Sequence, residues 1–211
     1  MAVRLPDLSL QDLGAALQGH SPEPLTEATV RSLHGFYLEL RRWAPGLSLI
    51  GPGTASEILE RHFGESLAAL PFLPEPHGRL LDLGSGAGFP GLVLAAARPG
   101  WDVTLVEARE RKWAFLQAAA RRGGFGCRCL NVRVGPSLPA ALPEAVDAIS
   151  SRALKLPATT LQALAGRLAP GGRFLFWTGE EAPEVPAGWQ AAAEHRFPGA
   201  RVRRLLVVQR R

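Results

Sequence analysis

The segment from Arg79 to Gly91 constrains the fold more than any other. Arg79-Leu80-Leu81-Asp82-Leu83 is a short apolar run, as expected of a strand buried on both faces. It ends on Gly84-Ser85-Gly86-Ala87-Gly88, and Phe89-Pro90 then opens a helix predicted over Pro90 to Arg98. Alternating glycines let a backbone turn sharply and approach a ligand closely. The helix that follows offers free N–H groups at its start. Downstream the same alternation continues. Strands are predicted at Trp101 to Glu107, Gly126 to Val134, Val146 to Ser151 and Arg173 to Trp177, with helices at Arg111 to Arg121 and Leu156 to Leu168. Trp189 to Phe197 and Val202 to Gln209 read as a closing antiparallel pair. The implied architecture is α/β and Rossmann-like: a mostly parallel, seven-stranded sheet with an antiparallel last strand.

The loop admits two cofactor classes. A dinucleotide fold wants Gly-x-Gly-x-x-Gly, and Phe89 stands where its third glycine would be. An acid followed by three alternating glycines, here Asp82 with Gly84, Gly86 and Gly88, suits S-adenosylmethionine. The acid suits a ligand with a cationic amino group. Glu107, at the end of the second predicted strand, is placed to accept ribose hydroxyls. The plain alternative is a glycine turn of structural use only.

Residues 1–77 read as a helical segment ahead of a core over 78–211. Leu8, Leu10, Leu13, Ala16 and Leu17 form one apolar face, and Leu33, Phe36, Tyr37, Leu40 and Trp43 form another, on a helix over Glu27 to Glu39 that Pro45-Gly46 stops. A further helix is predicted from Ala55 through His62, then one or two turns over Ser66 to Phe72.

Composition narrows the class. With 46% hydrophobic and 20% charged residues, wholesale disorder is excluded. No run approaches the roughly 18 apolar residues of a membrane span, and Pro6, Asp7 and Asp12 break any signal peptide at the N-terminus. Cys127 and Cys129, two residues apart, form no disulfide framework and point to a reducing compartment, so a cytoplasmic protein is expected. No metal site and no membrane partner are predicted, and a monomer is expected. The net charge of +5 is carried almost wholly by arginine, since Lys112 and Lys155 are the lysines. Arg196, Arg201, Arg203, Arg204, Arg210 and Arg211 crowd the last 16 residues and read as a phosphate-contacting stripe, or as a solvated strand edge.

The acceptor can be narrowed by chemistry. Methylation of an exocyclic base amine uses a polar-Pro-Pro-aromatic loop after the fourth strand, where this chain has Ile149-Ser150-Ser151-Arg152-Ala153-Leu154. Pyrimidine C5 methylation needs a thiolate, and Cys127 and Cys129 lie within a predicted strand without a neighbouring histidine. Guanine N7 carries a lone pair and no proton, so its methylation needs positioning and no acid–base pair.

At this point the residues resemble a known family, the bacterial 16S ribosomal RNA guanine-N7 methyltransferases (RsmG, or GidB). Leu81 to Gly91, with its Phe-Pro-Gly tail, resembles the family's first motif. Leu47 to Ile50, Glu57 to Ser66, Thr104 to Glu107 with Arg111-Lys112 and Phe115-Leu116, Ser151-Arg152-Ala153, and Arg203 to Val208 resemble further family segments. The resemblance implies a class I methyltransferase fold. It also implies methyl transfer from S-adenosylmethionine to guanine N7, with 16S ribosomal RNA or the 30S subunit as partner. Cofactor contacts are expected at Gly84, Ser85, Gly86, Phe89, Glu107, Val134, Gly135 and Arg152. Arg152 would also position the substrate, while Arg133, Arg111, Lys112, Arg203 and Arg204 would face RNA. The chain departs from the pattern at Gly135, where the family has an acid, at Thr178, where it has lysine, and at Ser48 and Glu65, where it has Asn and Asp. A methyltransferase for a small molecule or protein, and a non-catalytic RNA-binding module, are the alternatives. The loss of lysine at Thr178 is compatible with the first of these.

Overall fold

A computed structural model describes residues 3–51, 53, 56–73, 76–181, 183–199 and 202–211. Its seven strands are β1 (Gly78–Leu83), β2 (Trp101–Val106), β3 (Arg128–Leu130), β4 (Val146–Arg152), β5 (Leu168–Thr178), β6 (Trp189–Arg196) and β7 (Arg204–Arg210). They form one sheet in the order β3-β2-β1-β4-β5-β7-β6. All pairings are parallel except those of β7, which lies antiparallel between β5 and β6. The strand order reverses at β1, between β2 and β4. In open α/β sheets that reversal opens a crevice at the strands' C-terminal ends.

The helices are α1 (Leu10–Gln18), α2 (Glu27–Trp43), α3 (Glu65–Leu67), α4 (Gly91–Ala97), α5 (Glu110–Gly123) and α6 (Ala158–Ala165). Alternate residues of each central strand face opposite layers. Leu80, Val103, Leu105 and Leu175 join α1, α2, α4 and α5 in one hydrophobic cluster, while Leu81, Val106, Ile149 and Phe174 join α6 in a second. Residues of the N-terminal segment, Leu13, Phe36 and Phe63 among them, therefore share a cluster with the sheet.

Two details set the position of that segment. Gly35 on α2 lets the helix cross α5 closely: a Cβ there would lie 2.6 Å from the Arg122 carbonyl oxygen. Phe36 then reaches the glycine loop, its ring centroid 5.1 Å from that of Phe89 and 5.4 Å from that of Phe63. A Cβ on Gly88 would meet Leu92 Cδ1 of α4 at 2.7 Å and Phe36 Cζ of α2 at 3.0 Å, and a φ of +89° favours glycine there in any case.

Several predicted boundaries change. The third strand, expected over Gly126 to Val134, pairs only at Arg128–Leu130, because the chain beyond leaves this sheet edge after Asn131 Nδ2–H donates to the Glu107 carbonyl (2.9 Å). Cys127 lies just before that strand and Cys129 within it, both free thiols. The helix predicted from Leu156 to Leu168 is shorter, and Leu168 already belongs to β5, whose pairing with β4 shifts register between Val146 and Ala148. Ala55, the predicted start of the third helix, lies outside the described residues. The part that is described is a π-helical turn over Leu59–Gly64 running into α3, after which Leu70–Phe72 form a 3-10 turn. The second helix runs past Glu39 to Trp43, as the apolar spacing through Trp43 and the stop at Pro45-Gly46 predict.

Asp82 ties the sheet to the loop from inside. It has no exposed surface, and Ser150 Oγ–H on β4 donates to its Oδ1 at 2.6 Å. Its other oxygen, Oδ2, faces the first turn of α4, where a Cβ on Gly91 would approach it to 2.6 Å. Burial pushes the Asp82 carboxyl up to about 6, against the hydroxyls of Ser150 and Ser85 and the Gly91 amide, which favour the charged form. The expectation that this acid meets a cationic ligand group is not met: the carboxylate is internal.

Two outcomes are expected. Gly35→Ala should lower the unfolding free energy by about 1–3 kcal/mol in denaturant melts, because backbone atoms of α5 must move to admit the methyl group. A buried carboxyl whose folded pKa is raised binds its proton more tightly in the native state, so its contribution to stability is present at low pH and lost as pH rises through about 6. The difference in stability between the wild type and Asp82→Asn should therefore change by about 1–3 kcal/mol between pH 4.5 and pH 7.5, shifting against the wild type as pH rises. A pH-independent difference in urea titrations would count against it.

Candidate methyl-transfer site

The glycine loop sits at the C-terminal end of β1, in the crevice made by the reversal of strand order. Gly84, Gly86 and Gly88 have φ of +67°, +54° and +89°, a region that L side chains rarely adopt. Ser85 stitches the loop to the sheet. Its N–H donates to the Val106 carbonyl at 3.0 Å, its Oγ accepts from the Val106 N–H at 3.2 Å, and its hydroxyl donates to the Asp82 carbonyl at 3.0 Å. Its side chain is buried and faces the strands.

Glu107 closes the other side of the crevice. Gly86 N–H donates to its Oε2 at 3.0 Å and Arg109 N–H to its Oε1 at 2.8 Å. These two backbone donors fix the carboxylate plane across the loop. Each oxygen keeps a further acceptor position. Space remains above the loop: a Cβ on Gly86 would meet only the Gly84 carbonyl oxygen, at 3.5 Å, and Glu107 Oε2, at 4.0 Å. A backbone cradle with an anchored acid beside it fits the nucleoside part of S-adenosylmethionine.

The other predicted cofactor residues are distributed around this crevice. Val134 and Gly135 lie on the half-buried stretch after β3, and a Cβ on Gly135 would meet nothing within 4 Å, so the position that is acidic in the resembling motif is open space here. Phe89 points away from solvent, into the rings of Phe36, Phe63 and His62. Burial, with Arg152, Arg61 and Arg203 nearby, lowers the His62 pKa to about 3, so the ring is neutral. Lys112 is half-buried, and its pKa is lowered by burial despite the attraction of Glu107. Arg111 Nη2–H donates to the Gly46 carbonyl at 3.2 Å, and Arg133 is exposed.

Beside the crevice, past the ends of β4 and β5, lies a cavity of about 1100 Å³. Apolar residues from Leu154, Leu156, Leu161, Phe176 and Trp177 line one part of it. Leu154 connects cavity and loop: its Cδ2 would be 3.0 Å from a Cβ on Gly84, and it is 44% exposed. Thr178, at the position of the family's lysine, lines the same cavity and donates its hydroxyl to the Glu181 carbonyl.

Arg152 is the last residue of β4, and its guanidinium turns into the fold. Nη2–H donates to Glu65 Oε2 at 2.8 Å and to the Arg61 carbonyl at 2.6 Å. Arg203 donates to the other oxygen of Glu65 and to the Pro198 carbonyl. Arg204 donates to Glu194 Oε2 at 3.2 Å and to the Glu180 carbonyl at 3.1 Å. Arg196 pairs with Glu194 at 2.6 Å, and the Arg210 guanidinium lies 5.5 Å from the Trp189 ring centroid. Arg203 and Arg204 thus engage carboxylates from other elements, while Arg196, Arg210 and Arg211 lie exposed, Arg196 paired with Glu194 on its own strand; Arg201 is outside the described residues. Glu65, buried between Arg152 and Arg203, stands in the sequence only as a departure from the family's Asp, and its role in holding arginines is not readable there. Its one signal there is the segment Arg61-His62-Phe63-Gly64-Glu65-Ser66, which resembles a family motif.

Comparison with known proteins agrees with this geometry. A family model described as GidB, rRNA small subunit methyltransferase G, matches residues 29–195. "Ribosomal RNA small subunit methyltransferase G" of Stenotrophomonas maltophilia (strain K279a) is 38% identical over 179 residues, covering 82% of each chain. The protein of the same name from Xanthomonas axonopodis pv. citri is 36% identical over 209 residues, covering 95% of this chain and 96% of that one. Among solved structures, TrmN from Thermus thermophilus matches with a TM-score of 0.58 at 22% identity, covering 72% of this chain and 53% of that chain. A SAM-dependent methyltransferase from Aquifex aeolicus matches with a TM-score of 0.57 at 18% identity, covering 72% and 92%. These structural likenesses establish the methyltransferase fold, and the sequence matches establish the descent: the chain belongs to the rRNA small subunit methyltransferase G (GidB) family.

Proposed function

We propose that this chain transfers a methyl group from S-adenosylmethionine to N7 of a guanine in small-subunit ribosomal RNA. The observation that carries the reading is the joined pair of spaces. A glycine cradle with Glu107 across it opens beside a large cavity, and Leu154 belongs to both. Bound there, S-adenosylmethionine would supply an electrophilic methyl group on sulfur. Gly84, Gly86 and the stretch at Val134 and Gly135 would shape its pocket, and the anchored Glu107 carboxylate would accept from ribose hydroxyls. Ser85 and Phe89 would hold the loop's shape from behind, since both side chains face the core.

Guanine N7 is a lone-pair nucleophile, so the site has only to hold it in line with the methyl group and exclude water. Neither a general base nor a metal is required. His62 is half-buried and neutral and Asp82 is internal, which suits a reaction driven by positioning. The exposed Arg133 and Arg111, on the cofactor side of the sheet, would meet RNA phosphate, with Lys112 beside them. No helix among the described residues is long and apolar enough to cross a membrane. In this reading the chain acts as a cytoplasmic monomer on the 30S subunit or its 16S RNA.

Labelled S-adenosylmethionine incubated with the protein and 30S particles from a strain lacking the family's methyltransferase should give labelled 7-methylguanosine in 16S RNA after nuclease digestion. Label on protein or small molecules instead would overturn the reading. Glu107→Ala should weaken S-adenosylmethionine binding by about 10- to 100-fold in calorimetry, the loss expected for charge-assisted hydrogen bonds, while far-ultraviolet circular dichroism stays as in the wild type.

A further inference from the structure

Glu65 is a carboxylate held inside the fold, with 5% of its surface exposed. It belongs to α3, in the N-terminal segment, yet its partners come from the far end of the chain. Arg152 ends β4 and Arg203 immediately precedes β7, and each donates to a different oxygen of this one carboxylate. The backbone is fixed as well, because Trp177 Nε1–H on β5 donates to the Glu65 carbonyl at 2.8 Å. Three separated stretches are thereby gathered at one point.

That point is on the cavity wall. Glu65, Arg152, Trp177 and Arg203 all line the space beside the cofactor crevice. At Glu65 itself two guanidiniums share one carboxylate. Elsewhere on the lining Lys155 and Arg204 lie among Glu180, Glu181 and Glu184, with Lys155 paired to Glu181 at 2.7 Å and Arg204 donating to the Glu180 carbonyl at 3.1 Å. Arg152 also keeps a buried Nη1 without a hydrogen-bond partner. A guanidinium has five donors in a rigid fork, and its usefulness to an anion depends on the angle at which the fork is held. With one carboxylate oxygen for each arginine, both forks are set before any ligand arrives.

We infer that Glu65 is a positioning residue, which holds Arg152 and Arg203 at the cavity wall so that they can receive a phosphate of the RNA next to the target nucleotide. The inference rests on the function proposed above and assigns Glu65 no contact with the methyl group. A carboxylate that only held the fold together would affect stability and the fraction of active protein. One that aims two cations at the RNA affects the concentration of RNA needed for half-maximal rate.

The test is steady-state methylation of 30S particles by the wild type, Glu65→Gln, Glu65→Asp and Arg203→Met, with cofactor affinity measured separately by calorimetry. Glu65→Gln should raise KM for the particles about tenfold, leave kcat within about twofold and leave S-adenosylmethionine affinity unchanged. Glu65→Asp, which keeps the charge, should restore most of the wild-type KM. Arg203→Met keeps the Glu65–Arg152 pair and so decides the matter if Glu65→Gln does not fold. It should raise KM several-fold and reduce the salt dependence of RNA binding by about one phosphate contact. An unchanged KM in the folded variants, or a fall in kcat or cofactor affinity that accounts for the whole loss, overturns the inference. If the wild type itself labels no RNA, the proposed function fails and takes the inference with it. If the wild type labels RNA and the variants keep its KM, the inference fails alone.

Discussion

The glycine loop can take its shape only because its polar groups are answered from below. Asp82 is the centre of that arrangement. A carboxyl without exposed surface is costly unless hydrogen-bonded, and here Ser150 on β4 donates to it while Ser85 donates to its backbone carbonyl. These bonds fix β1 against β4 and fix where the chain leaves the strand. The left-handed turns at Gly84 and Gly86 start from that fixed point, and Glu107 holds the turn from above through the Gly86 N–H. The acid of the motif and the acid at the end of β2 therefore divide the work. The first is internal and sets the loop, and the second faces the crevice.

The N-terminal helices complete the same construction from the other side. Phe36, Phe63, Phe89 and Phe115 form a set of tilted and edge-on ring contacts that joins α2, the π-helical turn, the glycine loop and α5. Gly88 is open to this packing because it has no side chain, and Gly35 lets α2 come close enough to reach it. Helix packing and cofactor-loop geometry are thus one problem for this chain. Glu65 extends the link to the cavity wall, since it lies just after the π-helical turn and holds arginines from β4 and from the start of β7.

Much of this was legible in the sequence, for a local reason. The period of apolar residues marked the strands and α2, and the glycine spacing with its preceding acid marked the crevice. Glu107 was legible from its position at a strand end. What misled was also local. Gly126 to Val134 reads as a strand because Cys127, Cys129, Leu130, Val132 and Val134 suit one, but an edge position pairs it at Arg128–Leu130 alone. Asp82 reads as a ligand group because acids in such motifs lie near the cofactor, and only its burial shows otherwise.

The sequence by itself determined the fold class, the cofactor loop and the family, because each rests on residues close together in the chain whose spacing carries the chemistry. The tertiary structure decided where the charge goes. Arginines concentrated in the last 16 residues suggested an open basic stripe. In the fold Arg203 meets Glu65, Arg204 meets Glu194, and Arg210 lies over Trp189. Glu65 and Arg203 are 138 residues apart in sequence, and no local pattern encodes a pair at that distance. It forms because the sheet brings the start of β7 alongside β5, next to the end of β4, and the packed aromatic rings hold the N-terminal segment over all three.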